Sequence, residues 1–337
     1  MKSFAFIVNP VTIKQLKDFW PTLKLVPDFL IAPSLKNLAP FKVLPIKKIR
    51  SIQGKEIEGY FIICPLISKH PGRLDNGFVL DRTLSAIQLA GSLNVGIIGL
   101  SGHSSLLTDK GYTIGKTLKI PVTAGSSLTA WSIFEAIYRV AKVKNINLKE
   151  CKLAVINASG SLGSLCSRKL SDYVRRIVIN GPERDKLERL KENIAQLSPV
   201  EVIIEEDIDK AVKDADIVIN ANISREPAFE MRKLKPNTIF CNISSFSAAT
   251  EKTSLRNDIT AVLGGLIKLP YSDSRINTGL PKDIIPASLA ETMLLTFEER
   301  FVSYSSGENI NLDQLEEIAD IAVQHGFEVW LPEAPVL

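Results

Sequence analysis

The stretch AVINASGSLGSLCSRKL, residues 154–170, has the form of a dinucleotide-binding turn whose first glycine is replaced. The apolar run 154–156 leads into Asn157, and Gly160 and Gly163 follow at the spacing of the second and third glycines of such a turn. Asparagine adopts positive φ more readily than most residues with a side chain, so Asn157 is able to form the bend. The alternative is that both glycines serve helix packing alone.

Hydroxyl groups and main-chain amides surround this turn. Amides at a helix N-terminus bind phosphate oxygens, and serine hydroxyls add further donors. The residues predicted to contact a nucleotide cofactor at the turn are Asn157, Ser159, Gly160, Ser161, Leu162 and Gly163.

Apolar runs alternate with charged segments of helical spacing from residue 151 onward. The runs cover 152–156, 176–180, 201–204, 216–220 and 238–243, and a sixth covers 259–265. Strand alternating with helix predicts a parallel sheet with helices on both faces. We therefore expect an α/β protein with a Rossmann-type doubly wound sheet, and an NAD(P)-binding domain over 151–280.

The flanking segments predict additional elements. Residues 1–123 form an expected N-terminal α/β substrate lobe, with strands in FAFIV, FKVLPIKKIR, EIEGYFIICPL and VGIIG and a helix over 81–93. A connector helix is expected within 124–150. Two further helices, 281–302 and 312–325, lie in a C-terminal segment, 281–337, that is expected to pack back and complete the cleft.

Composition is that of an ordinary soluble globular protein. The chain has 337 residues, 45% hydrophobic and 23% charged, with a formal charge of +4, which fits two domains and indicates no nucleic-acid partner. Four dispersed cysteines without a Cys-x-x-Cys pair predict neither a metal site nor a disulfide framework. No apolar stretch has membrane-spanning length and no signal cleavage site follows the first strand, so a cytoplasmic location is expected.

Cofactor choice depends on the residues after the second strand of the sheet, RIVIN. That strand ends at Asn180 without an acid, and Arg184 lies close enough to meet a 2′-phosphate, which favours NADP over NAD. The alternative is that Arg184 is only a solvent-exposed residue of its helix and binds no ligand. After the fourth strand, the sequence Asn220, Ala221, Asn222 is predicted to meet a ribose or the nicotinamide, or else to cap the turn.

Four longer motifs carry a resemblance to a known family: TAGSSLTAW (123–131), GSLGS (160–164), AETMLLTFEER (290–300) and IADIAVQHGFEVW (318–330). They resemble the long-chain acyl-[acyl carrier protein] reductases, which make fatty aldehydes from acyl thioesters with NADPH. The resemblance implies a Rossmann-type domain paired with an N-terminal substrate lobe, as in shikimate dehydrogenase-like proteins. It also implies a small-molecule or acyl substrate, carrier-bound in that family.

The chain departs from the family at several positions. Ser288 stands where the family has a cysteine nucleophile, Asn157 where it has a glycine and Pro182 where it has an arginine. The lysine that ends the family's glycine-rich turn is missing from NISSFSAAT (242–250), and the family's Asn-Thr-His is replaced by 126–128. Ser288 and Glu291 also fit the Ser-x-x-Glu pattern of a capping box, so Ser288 is interpreted either as a helix cap or as a catalytic group.

Histidine offers a second catalytic candidate. His325 matches the family and is expected to end the last helix, where the negative end of the helix dipole stabilises a charged imidazole. The functional interpretation is a proton donor to a developing alkoxide. Two functions remain open: an NAD(P)H-dependent oxidoreductase acting on a carbonyl or acyl substrate, or a nucleotide-binding regulatory or scaffold protein that has lost the acyl-thioester chemistry.

Overall fold

A computed structural model of the chain describes residues 2–10, 12–31, 38–43, 45–66, 75–101, 120–222, 229–243, 256–271, 276, 278, 280–305 and 310–331. It divides into two compact units. The first comprises Met1–Gly125, Ile267–Gly307 and Ile318–Glu328, and the second Ser126–Leu266, Glu308–Glu317 and Val329–Leu337. The predicted connector helix therefore lies mostly in the second unit, and the predicted C-terminal segment is shared between the two.

The second unit is built on a six-stranded parallel sheet. Its strands are β7 (Lys152–Ile156), β8 (Arg176–Asn180), β9 (Glu201–Ile204), β10 (Ile217–Asn220), β11 (Ile239–Asn242) and β12 (Thr260–Leu263). Their order is β12-β11-β10-β7-β8-β9, and every neighbouring pair is parallel. Counted from β7 this is the doubly wound order 3-2-1-4-5-6, which confirms the predicted Rossmann-type sheet.

Helices of the second unit are α4 (Ser126–Val143), α5 (Ser161–Leu170), α6 (Arg184–Leu197) and α7 (Ile208–Lys213), with short 3₁₀ turns at Leu148–Glu150 and Met231–Lys233. Successive residues of β7, such as Leu153 and Ala154, are buried on opposite faces. A strand buried on both faces needs an apolar residue at every position, which explains the continuous apolar runs of the sequence.

The first unit contains a mixed sheet. Its strands are β1 (Ser3–Val8), β2 (Phe41–Lys42), β3 (Ile46–Arg50), β4 (Glu56–Ile63), β5 (Ile97–Leu100) and β6 (Val122–Thr123). The order is β2-β4-β1-β5-β6, and β3 also pairs with β4. Strands β1, β4, β5 and β6 run parallel, whereas β2 and β3 are antiparallel to β4. The predicted N-terminal α/β lobe is therefore present.

The remaining elements are helices and short strands. The helices are α1 (Ile13–Phe19), α2 (Asp28–Ile31), α3 (Asn76–Gly91), α8 (Ala287–Phe297) and α9 (Leu312–Gln324), with a 3₁₀ turn at Pro21–Leu25. The strands are β13 (Leu266–Lys268), β14 (Ile284–Pro286) and β15 (Glu328–Val329).

Helix α8 packs directly on the sheet of the first unit. A Cβ built at Gly99, in β5, would lie 2.1 Å from Thr292 Oγ1 of α8 and 2.6 Å from Phe6 of β1. The missing side chain therefore sets how closely helix and sheet approach. This contact confirms that a helix of the C-terminal segment packs back on the N-terminal lobe.

Two predicted helices have different bounds in the structure. The helix expected over 281–302 is wrong at both ends, because Ile284–Pro286 is a strand and α8 then spans Ala287–Phe297. Pro286 disfavours helical conformation for the residue before it, and Glu299 at φ 53° turns the chain out of the helix. The helix expected over 81–93 begins at Asn76, because the Asp75 side chain accepts a hydrogen bond from the Phe78 amide at 2.9 Å.

Replacing Gly99 with alanine is expected to lower the free energy of unfolding by about 2 kcal/mol, because the new methyl group overlaps Thr292 and Phe6. Chemical denaturation measures the loss. Ser85→Ala, at an exposed site on α3, is the control and is expected to change little. An unchanged denaturation midpoint for Gly99→Ala would contradict the close packing of α8 on β5.

Candidate functional site

The turn between β7 and α5 has the predicted backbone conformation. Asn157 adopts φ 61°, in the left-handed region, which confirms that asparagine replaces the first glycine of the turn. Its carbonyl accepts a hydrogen bond from the Gly160 amide at 3.2 Å. Its Nδ2 donates to the Ala221 carbonyl at 3.4 Å, a contact that glycine would lack. The side chain thereby ties the turn to the end of β10.

The two glycines of the turn have different physical roles. A Cβ at Gly163 would lie 2.4 Å from the Asn157 carbonyl oxygen and 2.9 Å from Ala158 Cα, so packing alone requires glycine there. At Gly160 the nearest atoms to a Cβ are Asn157 Nδ2 at 3.2 Å and the Asn157 oxygen at 3.4 Å, and φ is −78°. A Cβ at 160 would therefore be a tight fit against Asn157, whereas a Cβ at 163 would overlap the backbone.

Helix α5 begins at Ser161, directly after this turn. Ser161 and Leu162 are partly exposed, and the bond from the Ser164 amide to the Gly160 carbonyl, at 2.9 Å, closes the first turn. Amides of a first helical turn lack intrahelical acceptors and carry the positive end of the dipole. This helix start is suited to hold an anion.

The turn is fixed against the end of β8. The Ala158 amide donates to the Asn180 carbonyl at 2.8 Å. Ser159 is 9% exposed, and its Oγ has no hydrogen-bond partner among the residues that the structure describes. A Cβ at Gly181 would lie 2.6 Å from that Oγ and 3.1 Å from the Ser159 amide nitrogen, so a side chain there would displace Ser159.

Asn180, at the tip of β8, points toward the neighbouring strand connection. Its Nδ2 donates to the carbonyls of Glu205 and Glu206, at 2.7 Å and 3.0 Å. Both amide hydrogens of the side chain are therefore used inside the protein. Asn180 holds the β9–α7 connection beside the tip of β8.

Arg184 begins α6 and forms two ion pairs. Its guanidinium lies 2.8 Å from a Glu188 oxygen and 2.7 Å from a Glu206 oxygen. Hydrogen bonds to Glu188 and then to Glu206 raise the pKa of Arg184 above its usual value. The cation predicted to meet a 2′-phosphate is therefore shared by two carboxylates.

Side-chain amides lie together where β10 and β11 end. Asn220 is fully buried, and its Nδ2 donates to Asn242 Oδ1 at 3.0 Å. Its Oδ1 accepts from the Asn222 amide at 3.4 Å and from Asn222 Nδ2 at 3.2 Å. The Ala221 amide donates to the Ile156 carbonyl at 3.0 Å. The sequence analysis missed Asn242, although an asparagine ends or follows each of β7, β8, β10 and β11.

Ser288 does not cap its helix. The N-cap of α8 is Pro286, without a side-chain cap bond, and Ser288 lies inside the first turn. The capping-box interpretation is wrong because the Glu291 carboxylate instead accepts a hydrogen bond from Thr123 Oγ1. Ser288 is half-buried, and its Cα would be 2.2 Å from a Cβ at Gly125, whose φ is +73°. Sequence proximity pointed to the wrong partner for Glu291.

His325 follows α9 and is completely buried. Its Nε2 lies 2.7 Å from Glu298 Oε1, and its ring stacks on Phe297 with centroids 5.0 Å apart. Its Nδ1 has no hydrogen-bond partner within the described part of the chain. Glu298 also pairs with Lys55 at 2.6 Å. These contacts hold the ring in the interior of the first unit, and its role as a proton donor stays a prediction.

None of the four cysteines presents an exposed thiol. All four are buried, and burial raises the pKa of Cys64 and Cys241 to about 12 and that of Cys151 to about 11. Burial likewise raises the pKa of Cys166. Such thiols are inert at neutral pH.

Most of the 242–250 segment, in which the sequence lacks the family's lysine, falls outside the described residues. Within the described ranges, no group of three or more His, Cys, Asp or Glu residues is arranged to hold a metal ion. None of the helices there is long and apolar enough to cross a membrane.

Comparison with known proteins gives distant similarities. No family model matches the chain. It is 24% identical over 302 residues to the aminotransferase PigE of a Serratia species, covering 88% of this chain and 35% of that protein. It is 22% identical over 307 residues to the long-chain acyl-[acyl-carrier-protein] reductase of Synechococcus elongatus, covering 86% of this chain and 88% of that protein. The chain thus spans about a third of the first relative.

Among solved structures, quinate dehydrogenase from Corynebacterium glutamicum, in complex with NAD, matches 94% of this chain and 98% of its own. The sequence identity is 11% and the TM-score is 0.38. With so low a score, the fold assignment rests on the strand order of the second unit.

Glu298→Gln is expected to reduce stability in a pH-dependent way. Lys55, and then His325, hold the pKa of Glu298 below its usual value. A carboxylate with a depressed folded-state pKa stabilises fully above its unfolded pKa, and this stabilisation is lost as pH falls through the folded value. The variant should be less stable by about 1 kcal/mol at neutral pH, and the difference should shrink below about pH 4.

Thermal unfolding measured between neutral and acidic pH checks this expectation. Glu192→Gln, at an exposed position on α6, makes the same charge change away from His325 and is expected to show no such pH dependence. A stability difference between wild type and Glu298→Gln that stays constant over the whole range would contradict the ion-pair network.

Proposed function

We propose that this chain is an NAD(P)H-dependent oxidoreductase that reduces a carbonyl or acyl substrate by hydride transfer. The observation that carries the proposal is the turn at 157–163, which follows the first strand of a doubly wound sheet with Asn157 at positive φ and leads directly into the start of α5. Such folds bring the backbone of this turn close to the pyrophosphate of a bound dinucleotide.

The residues at this edge fit the chemical groups of a nicotinamide dinucleotide. The amides of Ser161, Leu162 and Gly163 would hold the pyrophosphate at the start of α5. Asn222 and Asn242, which the buried Asn220 holds in place, would meet the ribose and the carboxamide, which are neutral. When bound, the cofactor supplies a hydride. NAD and NADP share these groups, so the proposal covers both.

The substrate class is supported by sequence similarity. The acyl-[acyl-carrier-protein] reductase of Synechococcus elongatus aligns over 88% of its own length. The PigE alignment covers 35% of that protein, so the activity named for the whole of it is not carried over. We therefore assign the substrate to the carbonyl and acyl class.

Direct hydride transfer to a carbonyl fits the native chain better than an acyl-enzyme route. An acyl-enzyme needs an activated nucleophile, and a serine requires a neighbouring base. One turn after Ser288, the Glu291 carboxylate is hydrogen-bonded to Thr123 and is fully buried. The buried cysteines offer no thiolate in its place.

Titration of purified, cofactor-free protein with NADH and NADPH tests the proposal first. Binding of at least one dinucleotide at micromolar concentration is expected. If neither binds, the oxidoreductase assignment fails and the regulatory or scaffold interpretation becomes the leading one. A screen of carbonyl and acyl compounds with the bound cofactor then follows oxidation of the nicotinamide at its absorbance band.

Gly160→Ala is expected to weaken dinucleotide binding at least tenfold while lowering the unfolding temperature only modestly. The φ of −78° is open to alanine, and Asn157 must shift by only a few tenths of an ångström, whereas the new methyl group occupies the space that a pyrophosphate would approach. Ser164→Ala, farther along α5, is the control for both measurements. Equal binding by Gly160→Ala and wild type would contradict the close approach of a dinucleotide to this turn.

Ser288→Cys is expected to form a covalent acyl adduct with a long-chain acyl thioester of coenzyme A. The thiolate attacks the thioester carbonyl, and free coenzyme A leaves as the thiol. Position 288 favours this reaction because it lies in the first turn of an eleven-residue helix, where the dipole lowers a thiol pKa. Intact-mass measurement detects the adduct, and wild type and Ser288→Ala should show none. No adduct on the cysteine variant would remove the acyl class from the proposal.

A further inference from the structure

We propose that Glu206 is the residue that selects the cofactor, and that it makes the site specific for NADH over NADPH. The inference rests on the proposed function and adds to it the identity of the dinucleotide. Doubly wound folds that bind NAD place an acidic residue at the tip of the second strand, where it accepts hydrogen bonds from ribose hydroxyls. In this chain that tip residue is Asn180.

The structure brings an acid to that place from the neighbouring strand connection. Asn180 Nδ2 donates to the backbone carbonyls of Glu205 and Glu206, which fixes Glu206 next to the end of β8. The Glu206 side chain is 75% exposed, and Arg184 holds one of its oxygens at 2.7 Å. The ion pair with Arg184 leaves other lone pairs of the Glu206 carboxylate available to accept a hydrogen bond from a ribose hydroxyl. Asn180 and Arg184 are thus positioning residues for Glu206.

Arg184 is poorly placed to hold a 2′-phosphate. Two carboxylates, those of Glu188 and Glu206, already neutralise its guanidinium. The segments 183–189 and 205–207 together contain six acidic and three basic residues, so a phosphate dianion entering here meets a net negative field. The ribose hydroxyl of NADH carries no charge and avoids this repulsion.

An unpaired hydroxyl lies at the same strand tip. Ser159 is nine-tenths buried, its Oγ has no partner among the described residues, and it faces Gly181, the residue that follows Asn180. A buried hydroxyl without a partner is uncommon in a folded protein and points to a polar group that is absent from the free chain. This hydroxyl lies beside the residue that follows Asn180, whose side chain positions Glu206.

Binding titrations with both dinucleotides test the inference. Wild type should bind NADH at least tenfold more tightly than NADPH. Glu206→Gln should bind NADH about fivefold more weakly and NADPH more tightly, because the charge-assisted hydrogen bond is lost and Arg184 is released from one carboxylate. The ratio of the two affinities should therefore shift at least tenfold. Glu192→Gln on α6 is the matched control and should leave the ratio unchanged.

Arg184→Ala separates the two possible roles of the cation. If Arg184 positions Glu206, this variant should lose NADH affinity with little change for NADPH, and Arg184→Lys should restore part of the loss. Selective loss of NADPH binding by Arg184→Ala, or tighter binding of NADPH than NADH by wild type, overturns the inference while the proposed function stands. Absence of binding by either dinucleotide refutes the proposed function itself.

Discussion

The contact between Gly163 and the carbonyl of Asn157 is the constraint on which the second unit depends. With 2.4 Å between that oxygen and the place of a Cβ, helix α5 can begin immediately after the central strand β7 only if residue 163 is glycine. The same geometry needs a left-handed residue at 157, which asparagine supplies at φ 61°. One close approach thereby sets the start of α5 and points its first amides to the carboxyl edge of the sheet.

Glycine also permits close packing in the first unit, where it determines the position of α8. Gly99 lets Thr292 reach β5, and Gly125 lets the chain pass against Ser288. Helix α8 is consequently held by the sheet, and Glu291 is buried with Thr123 as its partner. A buried carboxylate needs such a hydrogen bond, since desolvation without one is costly. The environment of Ser288 is therefore determined by residues more than 160 positions earlier in the chain.

This difference in range explains what the sequence could predict. The parallel sheet, the bend at Asn157 and the packing role of Gly163 depend on residues within one strand, turn and helix, and periodicity and residue type predict them. The capping box at Ser288 was wrong because the preferred partner of Glu291 comes from β6. His325 matched a motif at a helix end, yet its contacts with Glu298 and Phe297 join segments that local patterns do not connect. The start of α8 was predicted too early because the helical spacing of apolar residues was given more weight than Pro286, which marks the boundary.

Asparagine at the strand ends changes how the site must be interpreted. A carboxylate at the tip of β8 would make the cofactor preference predictable from the sequence alone. Asn180 is neutral, however, and donates both of its side-chain amide hydrogens to the β9–α7 connection. The charge at this edge therefore resides in side chains that Asn180 positions rather than in the strand. The sequence suggests that Arg184 is a phosphate ligand, because Arg184 begins the helix that follows β8. Its partner Glu206 is 22 residues away and, together with Glu188, offsets the charge of the guanidinium. The charge around Arg184 is set by an ion pair to the β9–α7 connection, and the order of residues along the chain does not show that pairing.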